Sequence, residues 1–162
     1  MELPEIHVLN RIRWQFFGTL TFTSERISQR RRYHMWYAFL RRTAKQYRMP
    51  FSRLLWVLRE EQGEKFGRVH FHFLLAGLER RNLNRSSCFW LIDQWKQRKG
   101  GMAQVTLFDP RLNAGGYILK DLANFDDSTL GGGAYESAKF GSDTCQLTIA
   151  HSVWKMAKRQ QQ

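Results

Sequence analysis

The stretch from Leu54 to Ala76 reads LLWVLREEQGEKFGRVHFHFLLA. It holds two apolar, β-prone runs, Leu54 to Glu61 and Arg68 to Ala76, separated by a turn that contains glycine. Such a pair predicts two antiparallel strands. Successive side chains on a strand point to opposite faces. In the second run Val69, Phe71, Phe73 and Leu75 form a core face, so His70 and His72 project together to the other side. In the first run Leu54, Trp56, Leu58 and Glu60 alternate with Leu55, Val57, Arg59 and Glu61. The first set carries the bulkier apolar group and is assigned to the core. Glu61 then shares the face of the histidines, and Glu60 is the runner-up. Two imidazoles about 7 Å apart along a strand converge on one divalent ion when a third ligand joins them. Two histidines and a carboxylate leave positions open for water and phosphate oxygen, which suits Mn²⁺ or Mg²⁺. The plain alternative is a pair of ordinary surface or core histidines.

Upstream, Phe16 to Thr23 (FFGTLTFT) alternates as a strand with one buried face and one more polar face. Ser24 is read as the cap of a helix over about 25–48, in which Trp36, Leu40, Ala44 and Tyr47 recur at helical spacing before Pro50. Downstream, a helix is expected over about 86–98, a strand from Met102 to Phe108, and a helix from Asn113 to Phe125 entered through Gly115 and Gly116. Residues 126–143, with Gly131, Gly132 and Gly133, read as a mobile loop. A short strand near Cys145–Ile149 and a helix from about Ser152 close the chain. This order predicts an α+β fold, an antiparallel sheet packed on helices, ferredoxin-like or RRM-like in its split βαβ arrangement.

The chain has 162 residues, the size of a single domain. Lys and Arg outnumber Asp and Glu by 26 to 14, a formal charge of +12. That excess repels itself in a compact fold and calls for an anionic partner, nucleic acid first and an acidic membrane surface second. Arg30, Arg31, Arg41 and Arg42 on the first helix, Arg68 before the histidines, and Arg80 and Arg81 after them are the candidate phosphate contacts, within a cationic surface that also takes in Arg26, Arg32 and Arg85. The alternative for any one of them is a solvated helix face. No apolar run is long enough to cross a bilayer, so no membrane partner of that kind is expected. Two cysteines without CxxC spacing read as free thiols in a reducing compartment, and a cytoplasmic protein is expected.

The run from Glu61 through Gly63-Glu-Lys65 and Arg68 to His70-Phe-His72 resembles motif II of the HUH endonuclease superfamily, named for His, hydrophobic residue, His. The similarity is greatest to replication initiators of bacterial plasmids and small single-stranded DNA phages. Val69 stands where that family has proline. Phe17-Gly-Thr-Leu-Thr-Phe22 resembles motif I, and Tyr117-Ile-Leu-Lys120 resembles the Tyr-x-x-Lys of motif III. The three motifs come in family order across residues 17 to 121.

The resemblance implies a single domain over 1–162 that nicks and rejoins single-stranded DNA at a replication origin, directed by sequence or a hairpin. Glu61, His70 and His72 would hold Mn²⁺ or Mg²⁺. Tyr117 would be the nucleophile, forming a 5′-phosphotyrosine, with Lys120 one helical turn along stabilising charge. A bacterial host and its helicase and polymerase are the implied setting, since no GxxxxGK[ST] run supplies a helicase here. Tyr33, Tyr37 and Tyr47 are expected to pack or touch DNA, which leaves Tyr135 as the alternative nucleophile. A transposase or relaxase shares the chemistry. A non-catalytic RRM-like module lacks support, because the RNP1-like aromatic pattern is absent. A metalloregulator using the two histidines and a cysteine is a more distant alternative.

Overall fold

The computed structural model describes residues 9–62, 68–112, 131–132, 137–141 and 145–159. Strand β1 (Phe16–Phe22) leads to helix α1 (Gln29–Gln46). After the 3-10 turn Phe51–Arg53 come β2 (Leu55–Gln62) and β3 (Val69–Ala76). Helix α2 (Arg85–Gln97) and β4 (Gly100–Leu107) follow, then β5 (Gly131–Gly132), β6 (Ser137–Gly141), β7 (Cys145–Ala150) and α3 (His151–Arg159). The strands pair in the order β4-β1-β3-β2-β7-β6-β5, and every pairing is antiparallel. The first four strands and two helices form the split βαβ arrangement expected of a ferredoxin-like sheet, so the α+β reading stands.

Helices α1 and α2 pack on the face made by Phe16, Leu20, Trp56, Leu58, Phe71 and Phe73, all buried. The core here is aromatic. Trp36 lies 5.5 Å from Phe39, 5.7 Å from Trp56 and 5.2 Å from Phe73, ring centre to ring centre. Trp95 meets Phe22 and Phe39 edge-on, and its indole N–H donates to the Thr21 carbonyl at 2.8 Å. Edge-to-face pairs of this kind add to the area they bury.

Three local expectations change. The cap of α1 is Ser28 rather than Ser24, with its hydroxyl accepting from the Arg31 N–H. Residues 25–28 form the connection instead of a first helical turn. The helix ends at Gln46, before Pro50, where Arg48 takes a left-handed φ of 51°. The stretch 126–143, expected to be a loop, contains two strands where it is described. Glycine and serine have low strand propensity, but β6 gains its place by pairing with β7, and β5 by pairing with β6. The helix expected over 113–125 lies outside the described residues. On the second face of the sheet Leu55, Val57 and Leu74 are buried as well.

At the open end of the sheet a buried ion pair joins α1 to β2. Arg32 Nη2 donates to Glu60 Oε1 at 3.0 Å, with side chains only 12% and 10% exposed. Arg32 also donates to the Ile27 carbonyl, and Gln29 donates to the same Glu60 oxygen at 3.3 Å. Removing one partner of a buried pair leaves the other charge uncompensated.

Two stability outcomes follow from this packing. Gly18 sits beneath the ring of Phe73, and a Cβ there would collide with the ring edge and stand 3.0 Å from the Gln104 carbonyl oxygen. Gly18→Ala should therefore cost about 1–3 kcal/mol in urea unfolding; an unchanged midpoint would show that the ring moves aside freely. Glu60→Ala should cost about 3–5 kcal/mol by stranding Arg32. A loss below about 1 kcal/mol, the scale of a surface pair, would contradict the clamp.

Candidate active site

The register of β2 and β3 sets Glu61 directly opposite His70, and Arg59 opposite His72. Side-chain alternation then places Glu61, His70 and His72 on the sheet face away from α1. Glu60 turns the other way, into the pair with Arg32. Of the two glutamates, Glu61 is the one on the histidine face.

His72 Nε2 lies 3.2 Å from Glu61 Oε2. Its other ring nitrogen, Nδ1, lies 3.1 Å from the hydroxyl of Thr19, the residue opposite it on β1. Arg59, buried at 6% exposure, reaches the same Glu61 oxygen at 3.2 Å. The carboxylate is thus held from two sides. His70 stands half-buried beside this group and lines a cleft of about 540 Å³. Among the described residues no three His, Cys, Asp or Glu side chains are drawn together closely enough to hold a metal ion as they stand. The donor chemistry nevertheless fits a divalent cation. An imidazole Nε2 and a carboxylate converge, the far ring nitrogen is hydrogen-bonded as in metal-ligating histidines, and a second imidazole lies on the same face.

The cleft beside His70 is lined by Thr21, Thr23, Arg26, Arg32, Arg68 and Met102, among others. Arg68 bridges to Glu25 at 2.8 Å with both side chains well exposed, so the bridge is weak and its guanidinium remains available to an anion. Of the arginines singled out from sequence, Arg26, Arg32 and Arg68 line this cleft. Arg30 and Arg31 are exposed on the first turn of α1. Arg41 and Arg42 lie toward the other end of that helix, and Arg80 and Arg81 follow the far end of β3. Burial and the nearby Arg98 lower the pKa of Arg42. Sequence reasoning gave no role to Thr19 or Arg59. The Thr19 and Arg59 contacts depend on neighbours 53 residues away across β1 and β3, and two residues along β2.

Three tyrosines are accounted for by packing. Burial pushes the Tyr33 phenol up to about 12, and its hydroxyl lies 3.3 Å from that of Thr148. Tyr37 packs edge-on against Trp56, and Tyr47 against Trp90 with its pKa also raised by burial. Tyr117, Lys120 and Tyr135 lie outside the described residues.

No helix among the described residues is long and apolar enough to cross a membrane. No curated protein and no solved structure matches the chain significantly. Residues 15–126, from the start of β1 past the histidine strand and β4, match the family described as Replication-associated protein ORF2. That match covers well over half of the 162 residues, and the chain belongs to this replication-associated protein family.

Proposed function

We propose that this chain starts replication by nicking single-stranded DNA through Tyr117, with a divalent cation held by Glu61, His70 and His72. The observation that carries the reading is the convergence of His72 Nε2 and Glu61 Oε2 on the sheet face that also bears His70, beside a basic cleft, in a replication-associated chain. Arg26 and Arg68 would contact phosphates and orient the strand, and Thr21 and Thr23 line the same cleft. Mn²⁺ or Mg²⁺, when bound, supplies a Lewis acid that polarises the scissile phosphate and offsets the charge developing on it.

The nucleophile is assigned from resemblance: Tyr117-Ile-Leu-Lys120 is similar to the family's Tyr-x-x-Lys, and Tyr135 matches no family motif. Tyr33, Tyr37 and Tyr47 are engaged in packing. The phenolic oxygen of Tyr117 attacks phosphorus, and the bond from phosphorus to the 3′ oxygen breaks. The 3′ oxygen leaves as a hydroxyl, taking up a proton, and the phosphate stays joined to the enzyme and to the 5′ side of the DNA. Lys120 stabilises the charge on the phosphoryl oxygens. The new ester keeps the energy of the old one, so a 3′-hydroxyl can reverse the step and rejoin the strand. The host helicase and polymerase would act on the exposed 3′ end.

The test is incubation with a single-stranded origin oligonucleotide and Mn²⁺, read on a denaturing gel. Wild type should give a denaturant-resistant adduct that maps by mass spectrometry to the peptide containing Tyr117. Tyr117→Phe should lose adduct and strand scission together while keeping its fold and DNA affinity. An adduct on Tyr135, or undiminished scission by Tyr117→Phe, would refute the assignment. His70→Ala combined with His72→Ala should lose cleavage yet retain most DNA affinity, because that affinity comes largely from arginine and lysine and falls as salt rises. Full nicking by the double variant in chelated buffer would exclude the metal site.

A further inference from the structure

Three threonines of and just beyond β1 point to the histidine face, and two of them are engaged with the edge strand. Thr21 Oγ1 accepts from the Met102 N–H at 2.7 Å and lies 3.3 Å from the Met102 carbonyl. Thr23 Oγ1 donates to the Lys99 carbonyl at 3.3 Å. Thr19 differs. It lies directly across from His72 in the β1–β3 register, and its hydroxyl stands 3.1 Å from His72 Nδ1. The opposite ring nitrogen, Nε2, stands 3.2 Å from Glu61 Oε2. The imidazole is therefore gripped at both nitrogens, across two strand pairings.

We infer that Thr19 is a positioning residue for His72, holding the ring with Nε2 toward Glu61 through either tautomer. The chemistry of the partner carries this. A carboxylate or carbonyl at Nδ1 can only accept, and would fix the proton there. A hydroxyl both donates and accepts. With a proton on Nε2 the ring donates to the Glu61 carboxylate, and the Thr19 hydroxyl can donate to Nδ1. Were Nε2 to hold a cation, Nδ1 would carry the proton and donate to the Thr19 oxygen. The ring keeps its place in both states. The part of this inference that concerns a ligand rests on the metal reading above; the grip on the ring does not.

The experiment compares wild type, Thr19→Ser and Thr19→Val by ¹⁵N NMR of the histidine side chains, first in chelator and then with Mg²⁺. Mn²⁺ affinity is measured in parallel by electron paramagnetic resonance. Valine keeps the shape and β-branching of threonine and suits a strand. Serine keeps the hydroxyl and guards against a packing effect of the methyl group. In chelator, wild type and the serine variant should show His72 protonated at Nε2 with Nδ1 hydrogen-bonded, and the valine variant should lose that Nδ1 signature. With Mg²⁺ the proton should appear at Nδ1 in wild type. Mn²⁺ affinity should fall by about 10–100-fold in the valine variant, the usual cost of losing such a partner, and by far less in the serine variant. Identical His72 signals in wild type and the valine variant without metal would overturn the role of Thr19. Absence of any Mn²⁺ binding by wild type, with the metal-free difference intact, would overturn the metal reading and leave the Thr19 grip standing.

Discussion

The pairing register of β2 and β3 is the constraint on which the rest of this molecule depends. It sets Glu61 against His70 and Arg59 against His72, and with a side-chain period of two it fixes what each face carries. A slip of one residue would bring Glu60 to the histidines and send Glu61 toward α1. It would also turn Trp56 and Leu58 out of the aromatic core. Packing and chemistry are thus specified together. The same aromatic side chains that drive the sheet onto α1 and α2 hold the carboxylate and imidazoles on the other side.

Two polar contacts then refine what the register establishes. The Arg32–Glu60 pair ties the start of α1 to β2. It also brings Arg32 to the wall of the cleft that His70 lines. On the histidine face, Arg59 and His72 share one oxygen of Glu61, and Thr19 holds the far side of the His72 ring. The proposed action on phosphorus would require these groups to be held to within fractions of an ångström, and side chains on paired strands with bonded neighbours meet that demand better than loop residues. The arginines are spread more widely, a spacing that the proposed grip on phosphates would tolerate.

Much of this is legible in the sequence because it follows from local alternation. The HFHF run and the LLWVLREE run each declare a core face, and the position of Glu61 follows from counting. The split βαβ order follows from the grouping of strands with helices between them. What could not be read depends on partners distant in the chain. Ser24 and Ser28 are equally good caps by type, and the packing of α1 against the sheet selects Ser28. Residues 131–141 look like a loop by composition, and the strands within that stretch form only because β7 offers an edge. Leu55 and Val57 fall by alternation on the side away from the core, yet that side is buried too along the middle of β2. Thr19 is one of two threonines in β1, and nothing local distinguishes it. Only the β1–β3 register brings it to His72.

The phosphoryl transfer proposed for this chain turns on whether the face shared by Glu61, His70 and His72 gathers a divalent cation. The most direct measurement is an anomalous difference map from crystals of the protein soaked in Mn²⁺. One peak is predicted on the histidine face of the sheet, within coordination distance of the Glu61 carboxylate and of both imidazoles, with His70 turned in from the cleft wall. A peak elsewhere, or no peak at a concentration that supports nicking, would contradict it.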